Sequence, residues 1–461
     1  MKNKFSMLAP LALAILMASG CALKPSSSAT HIELPASYRA ASLSTDALVA
    51  DYQDWSSQYN DAVLSELLAM ATDNTHGSNL DIAKAYTQFE QARIAVKSAR
   101  ASLWPTLGVG SASSKTGQHS NEVYSKAQTH SASAIARYEL DLWGKFSNTV
   151  ASRELEAQGM SLAVEMVRKS VKGQVATQYW VLRQVEAEMA FMREQIQART
   201  TQVQINQNKL RYGTGTELEV KQAEANLANF KRQVVALQAQ RKSLEETLAL
   251  LVGKPGLTVA AESTSIASDL MLSRQDTPSL MLANRSDIKQ AEARLASAGL
   301  NVAVARAAMF PSISFNAQSG YQNGNLSSLV QPTSSFWTLG YSLDLPLFDR
   351  GLRLSQIDQA KAVERERVID YRKVIQTAFH DVNQALIDLE RLEATTLHLE
   401  QEVDAANAAY RMASLQYESG LIGYSQLLDA QQANDEAERS RVKLGFEKKI
   451  AQIAYLNALG F

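Results

Sequence analysis

Apolar residues return at every seventh position through two long stretches of the chain. Val175, Leu182, Met189, Ile196, Val203 and Leu210 keep one register, and Ala223, Phe230, Leu237, Leu244 and Leu251 keep another. Val220, Leu227, Val234 and Leu248 add a second seam, interrupted by Arg241. Ile375, Val382, Leu389, Val403 and Tyr410 repeat the pattern further on, with Thr396 in the gap. Sustained apolar heptads wind helices around one another, side by side. Proline usage agrees: none lies between Thr106 and Lys254 or between Leu347 and Phe461, and a proline inside a helix breaks it. A first long helix from about Gly144 to Leu210 would extend roughly 100 Å at ~1.5 Å per residue, more than a compact globule holds.

Elsewhere the period is two. Ala134, Ala136, Tyr138, Leu140 and Leu142 share one face, with Arg137, Glu139 and Asp141 on the other. Ile313, Phe315 and Ala317 oppose Ser312, Ser314, Asn316 and Gln318; Trp337, Leu339, Tyr341, Leu343 and Leu345 oppose Thr338, Gly340, Ser342 and Asp344. Short strands with one apolar and one polar face suit a membrane barrel with a wet interior, with Tyr and Trp at the interfaces. A water-soluble sheet with one buried face has the same period. In the barrel reading, four strands do not close by themselves and open edges are forbidden in lipid, so several copies must pool their strands.

The chain also repeats itself. Asp81-Ile82 through Trp104-Pro105 matches Asp287-Ile288 through Phe310-Pro311 at an offset of 206. Tyr138 to Leu142 matches Tyr341 to Leu345 at 203, and Leu210-Arg211-Tyr212 with Gly215 matches Leu415-Gln416-Tyr417 with Gly420 at 205. Three anchors at nearly one spacing mark a tandem duplication. Repeat 1 is placed at 40–252, with strands at 104–112 and 132–143 and a helical hairpin over 144–252. A Ser-, Thr- and Pro-rich linker covers 253–284. Repeat 2 occupies 285–461, with strands at 311–321 and 336–346 and a hairpin over 350–459. The polar stretch from Ser113 to Ser131 reads as an extracellular loop.

Composition narrows the function. Lysine and arginine number 46 against 47 acidic residues, a net charge of -1, without the basic excess of a nucleic-acid binder. Hydrophobic residues make up 46%, ruling out wholesale disorder. No segment after the leader offers the run of apolar residues a spanning helix needs. Lys2 and Lys4 followed by the apolar run Met7–Met17 form a signal peptide, assigned to 1–20. Its end, Ala18-Ser19-Gly20-Cys21, resembles the bacterial lipobox, in which the cysteine is lipidated. Ala22 stands where inner-membrane lipoproteins carry Asp, so the resemblance implies the outer membrane. Residues 21–39 read as a lipidated flexible tether. Cys21 is the only cysteine, which excludes thiol catalysis and a Cys-based zinc site. The histidines His31, His76, His119, His130, His380 and His398 show no metal-ligand spacing. Neither an enzyme nor a cofactor is expected.

Lipobox, tandem halves, the Trp104-Pro105 and Phe310-Pro311 helix ends, Leu-Asp-Leu-Trp-Gly at 140–144 and Leu-Pro-Leu-Phe-Asp-Arg-Gly at 345–351 together resemble the TolC family. The nearest branch is the OprM-like (NodT-type) outer-membrane lipoproteins of tripartite multidrug efflux pumps. The resemblance implies a mainly α fold with membrane β: a coiled-coil periplasmic tunnel and four strands per protomer in a shared twelve-stranded trimeric barrel. It also implies an equatorial belt from about Ala40–Asn79, Leu257–Arg285 and the last turns before Phe461. The implied function is a passive duct for drugs or other small amphiphiles, driven by an inner-membrane RND-type transporter through a periplasmic adaptor.

Site residues follow from the same resemblance. The hairpin tips Tyr212-Gly213-Thr214-Gly215 and Tyr417-Glu418-Ser419-Gly420-Leu421 match the family's adaptor-docking apex; a plain helix cap is the alternative. Asp429 and Gln426 match the family's periplasmic gate, with Gln426 departing from its acidic pair. A solvated helix face is the alternative for Asp429. Ile422 and Lys221 stand where some members form a salt-bridge latch. Two other functions fit less of this pattern: the exit duct of a type I secretion system of the same fold, and a lipid-anchored coiled-coil scaffold without a barrel.

Overall fold

The computed structural model describes residues 52–73, 79–120, 123–260 and 284–461. After a 3-10 turn at Tyr52–Tyr59 come α1 (Ala62–Thr72), α2 (Leu80–Ala101), β1 (Thr106–Ser120), β2 (Val123–Glu139), α3 (Lys145–Arg211) and α4 (Glu217–Val252). The second half runs α5 (Ser286–Ala307), β3 (Ser312–Asn323), β4 (Ser335–Asp344), α6 (Leu352–Glu418) and α7 (Tyr424–Leu459). The duplication is tight in the hairpins: α3 and α6 each have 67 residues and α4 and α7 each have 36. The chain divides into two compact units.

The first unit comprises residues 88–161 and 289–373. Its strands form one antiparallel sheet in the order β1-β2-β3-β4. The register puts Leu107, Ala136, Ala317 and Leu339 in one row, and Val109, Ala134, Ser319 and Trp337 in the next. Tyr138, Phe315 and Tyr341 form the row nearer the helices. All of these point to one face. No described residue covers it: Leu107, Val109, Trp337, Leu339 and Tyr341 are each at least 70% exposed. Thr106, Arg137, Asn316, Gln318, Thr338 and Ser342 take the opposite face. The uncovered apolar face removes the soluble alternative, which requires that face to be buried.

Two readings of the strands need correction. Ser113–Ser131 is not a loop, because Ser113 pairs with His130 and the ladder continues to Ser120 and Val123. The segment is polar in sequence apart from Gly117, Val123-Tyr124 and Ala127, so it carries no apolar alternation, yet the backbone ladder forms regardless of side-chain polarity. β1 therefore runs past 112. β2 begins before 132 and stops at Glu139, where Asp141 turns to another task. Its carboxylate accepts the Phe146 and Ser147 amides at 2.9 and 2.7 Å, serving the free N–H groups that open α3. Asp349 does the same for α6 through the Gly351 and Arg353 amides. α2 ends at Ala101. Ser102, Leu103 and Trp104 make tight three-residue turns before Pro105, which cannot continue the helix. The start of α3 packs on α5 through small residues, with Gln290 Nε2 donating to the Gly159 carbonyl at 3.0 Å.

The second unit comprises residues 162–288 and 374–461 with the described part of 33–87. The heptad residues form its core: Val175, Leu182, Met189, Val203, Ala223, Phe230, Leu237, Ile375, Val382, Leu389 and Val403 are all buried. Leu210, at the end of α3, is 41% exposed. Trp55, Tyr59, α1 and Val259 join α3, α4 and α7 in one apolar cluster with Ile453 and Leu456. Within it Lys449 is 0% exposed, its ammonium 5.1 Å from the Trp180 ring centre and 5.5 Å from that of Tyr59, within cation–π range. Asp61 caps α1 at the Leu64 amide and accepts the Tyr179 hydroxyl at 2.5 Å. Tyr179 in turn accepts from Arg183 at 2.9 Å. Burial, then the hydrogen bond to Asp61, pushes the Tyr179 hydroxyl well above its ordinary pKa.

Candidate functional site

Each hairpin turns in five residues between its two helices. At the first tip the Gly213 amide donates to Leu210 O at 3.1 Å and the Thr214 amide to Lys209 O at 2.9 Å. At the second, Gly420 donates to Tyr417 O at 3.0 Å and Leu421 to Gln416 O at 2.8 Å. This is the Schellman closure, whose C′ residue sits in the left-handed region. Gly213 has φ 75° and Gly420 φ 72°. The structural twins are thus Gly213 and Gly420, 207 residues apart like the helix ends themselves. The Leu-x-Tyr match at 205 is offset from the backbone equivalence by two residues. Gly215 therefore does not occupy a left-handed site. It is small for another reason: a Cβ there would lie 2.8 Å from Lys209 Cβ and 3.2 Å from the Leu210 amide nitrogen.

The two tip tyrosines also part company. Tyr212 is 77% exposed, whereas Tyr417 is buried among Val203, Ala223, Tyr424 and Leu427. The Lys209 ammonium sits 3.9 Å from the centre of the Tyr417 ring, and Tyr417 Oη donates to Asn206 at 3.4 Å. Burial, with the Glu219 charge, pushes its hydroxyl up to about 12. Thr214, Glu418 and Ser419 are exposed, and Ser419 Oγ donates to the Leu415 carbonyl at 2.8 Å. Tyr212, Leu218, Met412, Leu415 and Leu421 leave the tips rich in exposed apolar surface.

Past the tips the helices start differently. Thr216 and Glu219 form a reciprocal capping box in α4, stabilising its first turn. Gly423 has no side chain to offer α7, so only half of that box exists: the Gly423 amide donates to Gln426 Oε1 at 2.9 Å. Gln426 and Asp429 are both exposed, one turn apart on α7, and Ile422 is half-buried. Lys221 reaches Glu224 at 3.0 Å, and that pair raises its pKa.

A polar seam linking the repeats went unrecognised in the sequence. Arg199 of α3 pairs with Asp435 of α7, and both are buried. Arg439 of α7 reaches Glu188 of α3 at 3.0 Å; beside the seam, within the second repeat, Gln431 donates to Tyr410 at 3.3 Å. The Arg199 guanidinium also lies 5.2 Å from the Phe230 ring centre. Burial pushes the Asp435 carboxyl up, and the charge and hydrogen bond of Arg199 only partly offset it. The signal was present: Arg199 and Asn206 continue Val185 and Met192 at steps of seven, placing charge and amide on an apolar seam. Among the described residues no group of three His, Cys, Asp or Glu side chains is arranged to hold a metal ion. Cys21 lies outside the described residues.

The family model for outer membrane efflux proteins matches residues 71–254 and again 277–460. The chain belongs to the outer membrane efflux protein family. Its relatives include the pyoverdine export outer membrane protein OpmQ of Pseudomonas putida, 28% identical over 98% of this chain and 96% of that one. Outer membrane protein OprJ of Pseudomonas aeruginosa is 26% identical over 97% and 94%. The crystal structure of the Campylobacter jejuni CmeC outer membrane channel matches at a TM-score of 0.85, covering 95% of each chain at 21% identity. This efflux protein therefore has the TolC-like fold and resides in the outer membrane, and its family consists of channels rather than enzymes.

Proposed function

We propose that this efflux protein is the exit duct of a tripartite pump, passively conducting drugs or other small amphiphiles. Three copies pool their strands into a twelve-stranded barrel, and the helices form the periplasmic tunnel. The carrying observation is the four-stranded sheet, with an apolar face that no described residue covers, free edges at β1 and β4, and its four flanking helices α2, α3, α5 and α6 joined to the strands at one end. Free edges in lipid are untenable, so neighbouring copies must satisfy them. An inner-membrane RND-type transporter supplies energy, and a periplasmic adaptor docks on the apolar hairpin tips around Tyr212–Gly215 and Tyr417–Leu421. Asp429 and Gln426 line the periplasmic gate. Cys21 carries the lipid, and a fatty-acid label that persists in Cys21→Ser refutes that assignment.

The barrel is tested by face. Leu339→Arg puts a charge in the middle of the apolar band, at a cost of ~2–4 kcal/mol per protomer. Thr338→Arg, one residue away, faces the wet interior. Heat-modifiable trimers in the outer membrane should be lost in the first variant and retained in the second. Equal behaviour of the two refutes the barrel.

A further inference from the structure

The apolar band has a clear outer border. Its rows run from Ile313 and Leu343 to Ala132 and Tyr321, about 27 Å along the strands at ~3.4 Å per residue. At a strand tilt near 40° that is about 21 Å of height, close to the ~25 Å apolar band of an outer-membrane barrel. β3 pairs with β2 only as far as Asn323 opposite His130. Beyond it, β1 and β2 continue alone as a two-stranded ribbon.

The outward face of this ribbon changes character. Past the row of Ser111 and Ala132 come Ser113 with His130, Lys115 with Gln128, and Gly117 with Lys126. Lys115 and Lys126 are exposed and stand on the same face as Leu107 and Val109. At a strand tilt near 40° their backbones lie about 10 and 15 Å beyond the band, just outside a headgroup layer roughly 5–7 Å deep, toward which lysine stems reach back. From 106 to 136 the sole acidic residue is Glu122, between the strands, and 319–336 has no charged residue. The outer end of this sheet thus presents lysines, in direct continuity with the lipid-facing surface.

We propose that this face of the β1–β2 ribbon binds phosphate-bearing headgroups of the outer leaflet, through Lys115 and Lys126 with His130 beside them. The proposal rests on the barrel reading above. Long lysine stems lie along apolar surface while the ammonium reaches phosphate, and basic side chains at an anionic surface each strengthen binding. The ribbon would be held against the leaflet and the barrel fixed in depth.

The test uses full-length trimers offered phosphatidylcholine vesicles with or without lipid A, scoring lipid A retained per trimer by mass spectrometry. The wild-type protein should retain lipid A, and retention should fall as salt rises. Lys115→Gln and Lys126→Gln should each weaken it about fivefold, and Lys→Arg at both positions should restore it. Retention in the double Gln variant equal to wild type overturns the proposal, as does retention indifferent to salt in the unaltered protein. Displacement by inorganic phosphate at a concentration where sodium chloride of the same ionic strength leaves lipid A bound would assign a free-phosphate site instead and also overturn it. The barrel control is separate: if Leu339→Arg blocks insertion while the lysine variants bind normally, only the headgroup assignment fails.

Discussion

Replacing Gly213 and Gly420 together with asparagine separates a docking tip from a mere turn. Both glycines have left-handed backbones, φ 75° and 72°, and a Cβ built on either meets nothing within 4 Å. The substitution therefore costs only backbone strain. An ordinary L-residue in this region loses ~1–2 kcal/mol, and asparagine less, because it tolerates the conformation. Against hairpins with helices of 67 and 36 residues, whose cores lie along the whole coil, that loss is local. Trimers should form at wild-type abundance. If an adaptor seats its backbone on these tips, each new amide is trapped without a partner, at ~1–3 kcal/mol per site. Summed over two sites per protomer, adaptor affinity should fall by at least tenfold. The assay is adaptor crosslinking in cells beside drug susceptibility, with trimer abundance as control. Wild-type crosslinking and resistance in the double variant refute docking at the tips. Gly215→Ala is the contrasting variant: its Cβ meets Lys209 Cβ at 2.8 Å, so it should distort the tip and cost stability there.

Two further outcomes are expected. Asp435 has a raised carboxyl pKa in the fold, so the native state holds its proton more tightly than the unfolded chain. Its contribution is fully present below the unfolded value of 3.8 and is lost as pH rises through the raised one. Relative to Asp435→Asn, wild-type hydrogen-exchange protection of α7 should therefore improve as pH falls through that window, and a worsening refutes the sign. Asp429→Ala should raise single-channel conductance and weaken block by divalent cations in planar bilayers; unchanged values return Asp429 to an ordinary solvated face.

What the sequence alone determined was whatever repeats locally. Heptads named the buried faces of the long helices, because a helix face recurs at a fixed step whatever lies across from it. Pro105 and Pro311 marked the helix ends, since ring geometry acts within one turn. Alternation at Leu339, Tyr341 and Leu343 identified a two-faced strand but not what lay on either side; only the assembled sheet left that face uncovered. Tertiary structure decided the rest. Ser113–Ser131 pairs as strand through backbone groups that no side chain announces. Tyr212 and Tyr417 look alike in sequence, yet Tyr417 is buried by residues drawn from both hairpins. The exact twinning of Gly213 with Gly420 is a property of where the helices stop. Arg199 and Asp435 stand 236 residues apart, and Lys449 depends on rings from Tyr59 and Trp180. Such contacts are made by groups distant along the chain, whose mutual burial sets their charge and hydrogen bonding, and no local period encodes which of them will meet.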